Sequence, residues 1–261
     1  MNIEPQLLQP YTALGGPTGC LLVHGFSSAP PDVLPLARYL HSHMGMSVHC
    51  PVLPGHSTTP EDMARYNEQD WLKSVEQGVE LLQKHCSRIW LAGFSMGGVL
   101  CLVTAARKQV SGVISLAAPV WPVPFVSRFS RVLEHTRPWL PMGQRPPMEE
   151  PSWRYDRVAA KNVTDLYRLI NLLKSCLPQV DKPVLVVQGG RDRTVRPASG
   201  RYIYKNLGSE DKELEWIDDS GHLLLLGRNR QQLINHCAHF IEQRLGGLEN
   251  GSYKESRRTG L

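Results

Sequence analysis

The sequence predicts a mostly parallel β-sheet covered on both faces by helices. Two observations carry that prediction. Short apolar runs of strand length alternate with helical patterns over most of the 261 residues, the arrangement that buries a parallel sheet between helical layers. A basic, proline-rich interval interrupts the alternation once, near the middle, and the same alternation resumes beyond it.

The first strand is read at Cys20-Leu-Leu-Val-His-Gly-Phe26, followed by a helix from Asp32 to His43. Ser47 to Leu53 forms a second strand, which Pro51 should cut short, since proline cannot donate to a central ladder. Trp71, Val75, Val79, Leu82 and Cys86 recur at three- and four-residue spacing, one face of an amphipathic helix. Arg88 to Gly93 is the next strand, and Met96 to Arg107 a helix apolar nearly all round, which implies burial. Ser111 to Ala118 is a further strand. From Pro119 to about Lys182 the pattern breaks, leaving one helix near Asp165 to Cys176. Strands return at Pro183–Gly189 and Glu213–Ile217, with helices at about Ala198–Asn206 and Arg228–Arg244. The polar stretch 246–261 is expected to fray.

Composition narrows the function classes. The net charge of +5 is too small over this length to mark a nucleic-acid surface, and no aromatic-interleaved basic stripe accompanies it. Residues 119–182 hold ten basic against six acidic groups and nine of the 20 prolines, so most of the excess charge belongs to that interval. No run reaches membrane-spanning length, and residues 1–20 lack the charged and apolar regions of a signal peptide. The six cysteines, Cys20, Cys50, Cys86, Cys101, Cys176 and Cys237, have no metal-like spacing. Most sit inside apolar runs as small hydrophobes, and a reduced, cytoplasmic protein is expected.

The sharpest local feature is Gly93-Phe-Ser95-Met-Gly97, between a strand and a buried helix. A serine there sits on a tight turn, and the glycines make room for crowded backbone while its hydroxyl projects outward. A serine hydroxyl is a weak nucleophile at neutral pH, so it needs a base, and the base needs an orienting group. Of ten histidines, most lie on helices or within strands. His222 differs, following a strand through Asp218-Asp-Ser-Gly221 late in the chain. Asp192 ends its strand through Gly189-Gly-Arg191. Ser95, Asp192 and His222 thus each stand just beyond the carboxyl end of a strand, where ligands of open α/β sheets bind. Asp218 and Asp219 compete with Asp192 as partners of His222; a residue from a separate strand end fits better. The backbone N–H groups of Met96, next after the serine, and of Phe26, in the loop after the first strand, are the candidate oxyanion donors. His24 is read as bracing loops.

His24-Gly-Phe26, Pro54-Gly-His-Ser57, Gly93-Phe-Ser-Met-Gly-Gly98, Gly189-Gly-Arg-Asp192 and Ser220-Gly-His222 together resemble the α/β-hydrolase superfamily over about residues 20 to 244. The nearest likeness is to its small bacterial carboxylesterase and monoacylglycerol-lipase branch. The resemblance implies an eight-stranded sheet with a cap inserted after the sixth strand. It thus implies a single domain with core at 1–118 and 183–245, cap at 119–182 and a flexible tail at 246–261. It further implies hydrolysis of short- to medium-chain acyl esters or monoacylglycerols through an acyl-enzyme on Ser95, with no metal or organic cofactor. The expected partner is a small-molecule ester, not nucleic acid and not a membrane interior; the sequence does not give an oligomeric state. Thioester hydrolysis, C–C bond hydrolysis, aminopeptidase activity and a hydrolase-fold binding module without turnover remain as alternatives. Arg191, Arg193 and Arg196 flank Asp192, and would keep it ionised if close to it. Aromatic and apolar residues of the cap, Trp121, Phe125 and Trp153 foremost with Pro122, Val123, Phe129, Trp139 and Leu140, are candidates to shape the acyl pocket. At least half of them are expected simply to pack the cap on the core.

Overall fold

The computed structural model describes residues 3–121, 138–143 and 145–255. Nine strands are described: β1 (Tyr11–Ala13), β2 (Thr18–Val23), β3 (Ser47–Cys50), β4 (Arg88–Phe94), β5 (Gly112–Leu116), β6 (Trp139–Pro141), β7 (Arg157–Ala159), β8 (Val184–Gly189) and β9 (Lys212–Ile217). Seven form one sheet in the order β1-β3-β2-β4-β5-β8-β9. All neighbours are parallel except β1, which runs antiparallel to β3 with Tyr11 opposite Cys50.

Among the described residues the sheet is therefore one strand short of the eight that the family resemblance implies. Ahead of β2 the chain supplies a single short strand, β1, because Pro5 opens a 3-10 turn over Pro5–Leu8 instead. β3 stops at Cys50, immediately before Pro51, where the sequence places the break.

The helices are α1 (Leu34–Met44), α2 (Pro60–Met63), α3 (Glu68–Gln83), α4 (Met96–Ala105), α5 (Ala160–Cys176), α6 (Ala198–Asn206) and α7 (Arg230–Glu255). Their ends have local causes. Asn67 caps α3 by accepting from the Gln69 N–H at 2.8 Å, while Asp70 reaches back to the Asn67 N–H at 2.9 Å. Gly45, at φ +63°, ends α1 in the left-handed conformation that favours glycine. α7 continues past Arg244, its expected end, as far as Glu255.

Alternation along the strands sorts the core into two apolar layers. Leu21, Val23, Ile89, Leu91 and Val113 face α3 and α4, whereas Cys20, Leu22, Trp90, Ala92 and Ile114 face α1 and α7. Each layer removes several large side chains completely from water, at roughly 1.5–3 kcal/mol for each one. Between β5 and β8 lies the interval that breaks the sequence pattern. It contains the small antiparallel pair β6–β7, with Leu140 opposite Val158, and then α5. Leu169, Leu173 and Cys176 of α5 join the apolar layer of α3 and α4, which anchors that end of the insertion to the core.

Candidate active site

Parallel strands put their carboxyl ends on one edge of the sheet, and the candidate residues collect there. Phe26 follows β2, Ser95 follows β4, Asp192 follows β8 and His222 follows β9. Ser95 holds φ +55° and ψ −117°, a strained backbone for a residue with a side chain. The turn survives because its neighbours are glycines. A Cβ on Gly93 would lie 2.2 Å from the Gly97 carbonyl oxygen, and one on Gly97 would lie 2.1 Å from that of Val23. β4, α4 and β2 thus meet through bare backbone, and the Ser95 hydroxyl projects from the crossing.

His222 Nε2 lies 3.1 Å from Ser95 Oγ, and His222 Nδ1 lies 2.8 Å from Asp192 Oδ2. Asp192 is buried and acceptor-only when ionised, which fixes the proton of His222 on Nδ1 and leaves Nε2 free to accept from the serine. The Asp192 carboxylate is itself held on both oxygens. Oδ1 accepts the backbone N–H groups of Thr194 and Val195, both at 2.8 Å, and Oδ2 also accepts from Gln188 Nε2 at 3.3 Å. The Phe94 ring lies 4.9 Å from the imidazole and backs it from the sheet side.

Neither Asp218 nor Asp219 hydrogen-bonds to His222; Asp219 instead pairs with Arg191 at 2.5 Å. Arg191, Arg193 and Arg196 are exposed and make no contact with the Asp192 carboxylate, whose partners are His222, Gln188 and two backbone N–H groups.

The backbone N–H groups of Phe26 and Met96 have no acceptor among the described residues, although Met96 is fully buried and Phe26 half-buried. Buried amides are rarely left without a partner. Gly25 brings this loop against the serine, since a Cβ there would lie 3.2 Å from the Phe94 ring and 3.5 Å from Ser95 Cβ.

Behind the loop that carries Phe26 stand two buried imidazoles. His24 Nε2 accepts the Leu53 N–H at 3.1 Å while its Nδ1–H donates to the Gly25 carbonyl at 2.9 Å. His56 Nε2 accepts the Ser27 N–H at 3.2 Å while its Nδ1–H donates to the Pro54 carbonyl at 3.2 Å. Burial holds the His24 ring neutral, with its pKa lowered to about 4, and likewise lowers that of His56, helped by the neighbouring His24.

A cavity of about 950 Å³ opens over Ser95 and His222. Trp121 and Leu140 line it, as the sequence suggests, with Val158, Leu166 and Ile170 from β7 and α5. Trp153 is a correction. It packs edge-to-face on Tyr155 at 4.7 Å, turned toward the core, and does not line the cavity. Phe125, with Pro122, Val123 and Phe129, lies outside the described residues. Trp139 is over a third exposed, with the Arg157 guanidinium 5.3 Å from its ring centre.

Sequence reasoning missed Gln188 and the pair Asp32–Arg145. Gln188 left a signal, a polar side chain at the end of an apolar strand, four residues before Asp192. Arg145 left none, because its partner is 113 residues away in the sequence. Among the described residues no group of three or more His, Cys, Asp or Glu side chains is placed to share a metal ion, and no helix is long and apolar enough to cross a membrane.

The sequence profile of the alpha/beta hydrolase family matches residues 20–235. A carboxylesterase of Bacillus subtilis (strain 168) is 28% identical over 238 residues, covering 90% of this chain and 96% of its own. A thermostable monoacylglycerol lipase of Bacillus sp. (strain H-257) is 30% identical over 246 residues, covering 91% and 96%. Among solved structures, one described with the metagenome-derived lipolytic enzymes LipS and LipT superposes with a TM-score of 0.85 at 26% identity, over 91% of this chain and 98% of that one.

Proposed function

The chain belongs to the alpha/beta hydrolase family, and from that premise we propose that it hydrolyses carboxylic esters, with short- to medium-chain acyl esters or monoacylglycerols as substrates. The observation that carries this reading is the continuous relay from Ser95 Oγ through His222 to Asp192 beside two unpartnered N–H groups. Relatives with 28% and 30% identity are a carboxylesterase and a monoacylglycerol lipase, which supports the same substrate chemistry.

His222 Nε2 takes the hydroxyl proton as Ser95 Oγ attacks the ester carbonyl, and Asp192 stabilises the imidazolium that forms. The N–H groups of Phe26 and Met96 receive the oxyanion, already oriented and requiring no reorganisation. The imidazolium returns its proton to the departing alcohol, leaving the acyl group on Ser95. Water then enters by the same route and releases the acid. The described part of 119–182, with β6, β7 and α5, is read as a cap over this cavity within a single domain. The six cysteines are buried and unpaired, which supports a reducing, cytoplasmic setting.

The test is turnover of p-nitrophenyl esters and monoacylglycerols, with labelling by a fluorophosphonate. The protein should do both, and Ser95→Ala should stay folded and do neither. Full labelling of that variant would overturn the assignment of the nucleophile.

A further inference from the structure

The wall of the cavity carries more positive charge than the catalytic relay uses. Arg145, Arg154, Arg191, Arg193 and Arg228 all line it, against the carboxylates of Glu149 and Asp219. Both carboxylates are already engaged: Glu149 pairs with Arg230 and Asp219 with Arg191. Arg145 is likewise neutralised, with Nη1 2.5 Å from Asp32 Oδ1 and Nη2 2.9 Å from Asp32 Oδ2. Asp192 is taken up by His222, Gln188 and its own loop. Arg154, Arg193 and Arg228 are left with no ion pair or side-chain hydrogen bond among the described residues.

These three cations come from three separate segments, one just before β7, one in the loop of Asp192 and one beyond His222. Arg193 and Arg228 are exposed, whereas Arg154 is half-buried. Burial and the neighbouring Arg145 charge both pull the Arg154 guanidinium below its ordinary pKa. A cation withdrawn from water beside the Arg145–Asp32 pair, offset only in part by Asp32 and with no ion pair of its own among the described residues, is a costly arrangement that an incoming anion would relieve.

We propose that the ester substrate of this site carries a second, anionic oxygen group, a carboxylate or a phosphate, which Arg154 receives within the cavity while Arg193 and Arg228 attract it at the mouth. The inference rests on the ester-hydrolase reading and adds a substrate class to it. An arginine fork matches two oxygens of a carboxylate or phosphate. Unpaired cations around a low-dielectric cleft raise the local concentration of anionic substrate, in a salt-dependent way. The apolar wall formed by Trp121, Leu140 and Ile170 accepts the hydrocarbon part.

The full-length protein is tested on two matched pairs: the mono-p-nitrophenyl ester of adipic acid against its methyl-capped diester, and an acylglycerol phosphate against the monoacylglycerol of the same chain. A higher kcat/KM for the anionic member of either pair supports the proposal, and the pair that shows it tells carboxylate from phosphate. In the preferred pair, Arg154→Met should lower the anionic-to-neutral ratio about 10- to 100-fold, the scale of one charge-assisted contact. Arg154→Lys should recover part of that ratio, and added salt should compress it. Thermal melting of each variant distinguishes loss of fold from loss of preference. Turnover of both members without preference, or an unchanged ratio in Arg154→Met, overturns the proposal and leaves the ester-hydrolase reading standing. No turnover of any of the four esters overturns both.

Discussion

The rings of His24 and His56 face each other 5.0 Å apart at 59°, and each accepts a backbone N–H from the loop that carries the other. His24 thereby grips the loop after β3, and His56 grips the loop that presents Phe26. Both loops contain a strained residue, Ser27 at φ +56° and Ser57 at φ +58°, so the reciprocal clamp holds backbone that would otherwise relax. The geometry demands neutral rings. A proton added to either Nε2 would remove the acceptor that the facing N–H requires.

That requirement makes stability pH-dependent. The folded pKa of His24 is lowered from 6.5 to about 4, so the unfolded chain binds the proton more readily between those values. The stabilisation is complete above about pH 6.5 and is lost as pH falls toward about 4, on the order of 3 kcal/mol for His24. Urea unfolding at pH 7.5 and pH 5 should show wild type losing more stability than the His24→Asn/His56→Gln double variant. Equal losses would show that the pair is not what titrates.

Gln188 is argued to act through Asp192. Its Nε2 donates to the carboxylate while its Oε1, buried, has no partner among the described residues. Gln188→Met removes the donor and also that unsatisfied acceptor, so stability should change by less than about 1 kcal/mol. The kcat of ester hydrolysis should fall several-fold with KM unchanged, because Gln188 touches the Asp192 carboxylate and does not line the cavity. Asp192→Asn, which loses the tautomer control, should cost about 10⁴ in kcat. A Gln188 variant with wild-type kcat, or one whose loss lies in KM, would remove the positioning role.

The glycines of the nucleophile turn differ in kind from a glycine used only for its dihedral angle. Gly97→Ala would drive a Cβ to 2.1 Å from the Val23 carbonyl oxygen, and the clash is with backbone that cannot swing away. A loss above about 3 kcal/mol, or failure to accumulate folded protein, is expected. Gly45→Ala meets no atom within 4 Å and pays only for its φ of +63°, about 1 kcal/mol. Chemical denaturation of the two variants measures the gap.

Sequence and structure part company for reasons visible in these residues. Ser95, Asp192 and His222 were legible because each follows a strand through a glycine-marked turn, and chain order fixes which edge of a parallel sheet such turns share. Trp121 and Trp153 were not separable, since both are aromatic residues of one proline-rich interval; only packing decides that Trp153 turns onto Tyr155. β1, three residues long and half-exposed, leaves no periodicity to read. His24 was legible as a brace between loops, but its counterpart His56 was not, because each contact of the clamp spans 29 residues.

Asp32 and Arg145 supply the last test, because they fasten the insertion to the core. The Asp32 side chain is 1% exposed and that of Arg145 12%, and Ser28 both donates to Asp32 and accepts from Arg145 Nη2 at 3.0 Å. Ser28 lies two residues after Phe26, so the contact joins the insertion between β5 and β8 to the loop that follows β2. Removing one partner leaves the other charge buried and unpaired, at about 3–5 kcal/mol. Asp32→Asn and Arg145→Met should each show a loss of that order in urea denaturation. The double variant removes both charges together, so its loss should fall well below the sum of the two, a coupling of 1 kcal/mol or more on the scale of about 0.5–3 kcal/mol found for contacting residues. Strict additivity would mean that the two side chains do not interact in solution. If the double variant regains stability yet hydrolyses esters more slowly than wild type, the ion pair serves to hold the insertion and the loop after β2 in register rather than to stabilise the fold.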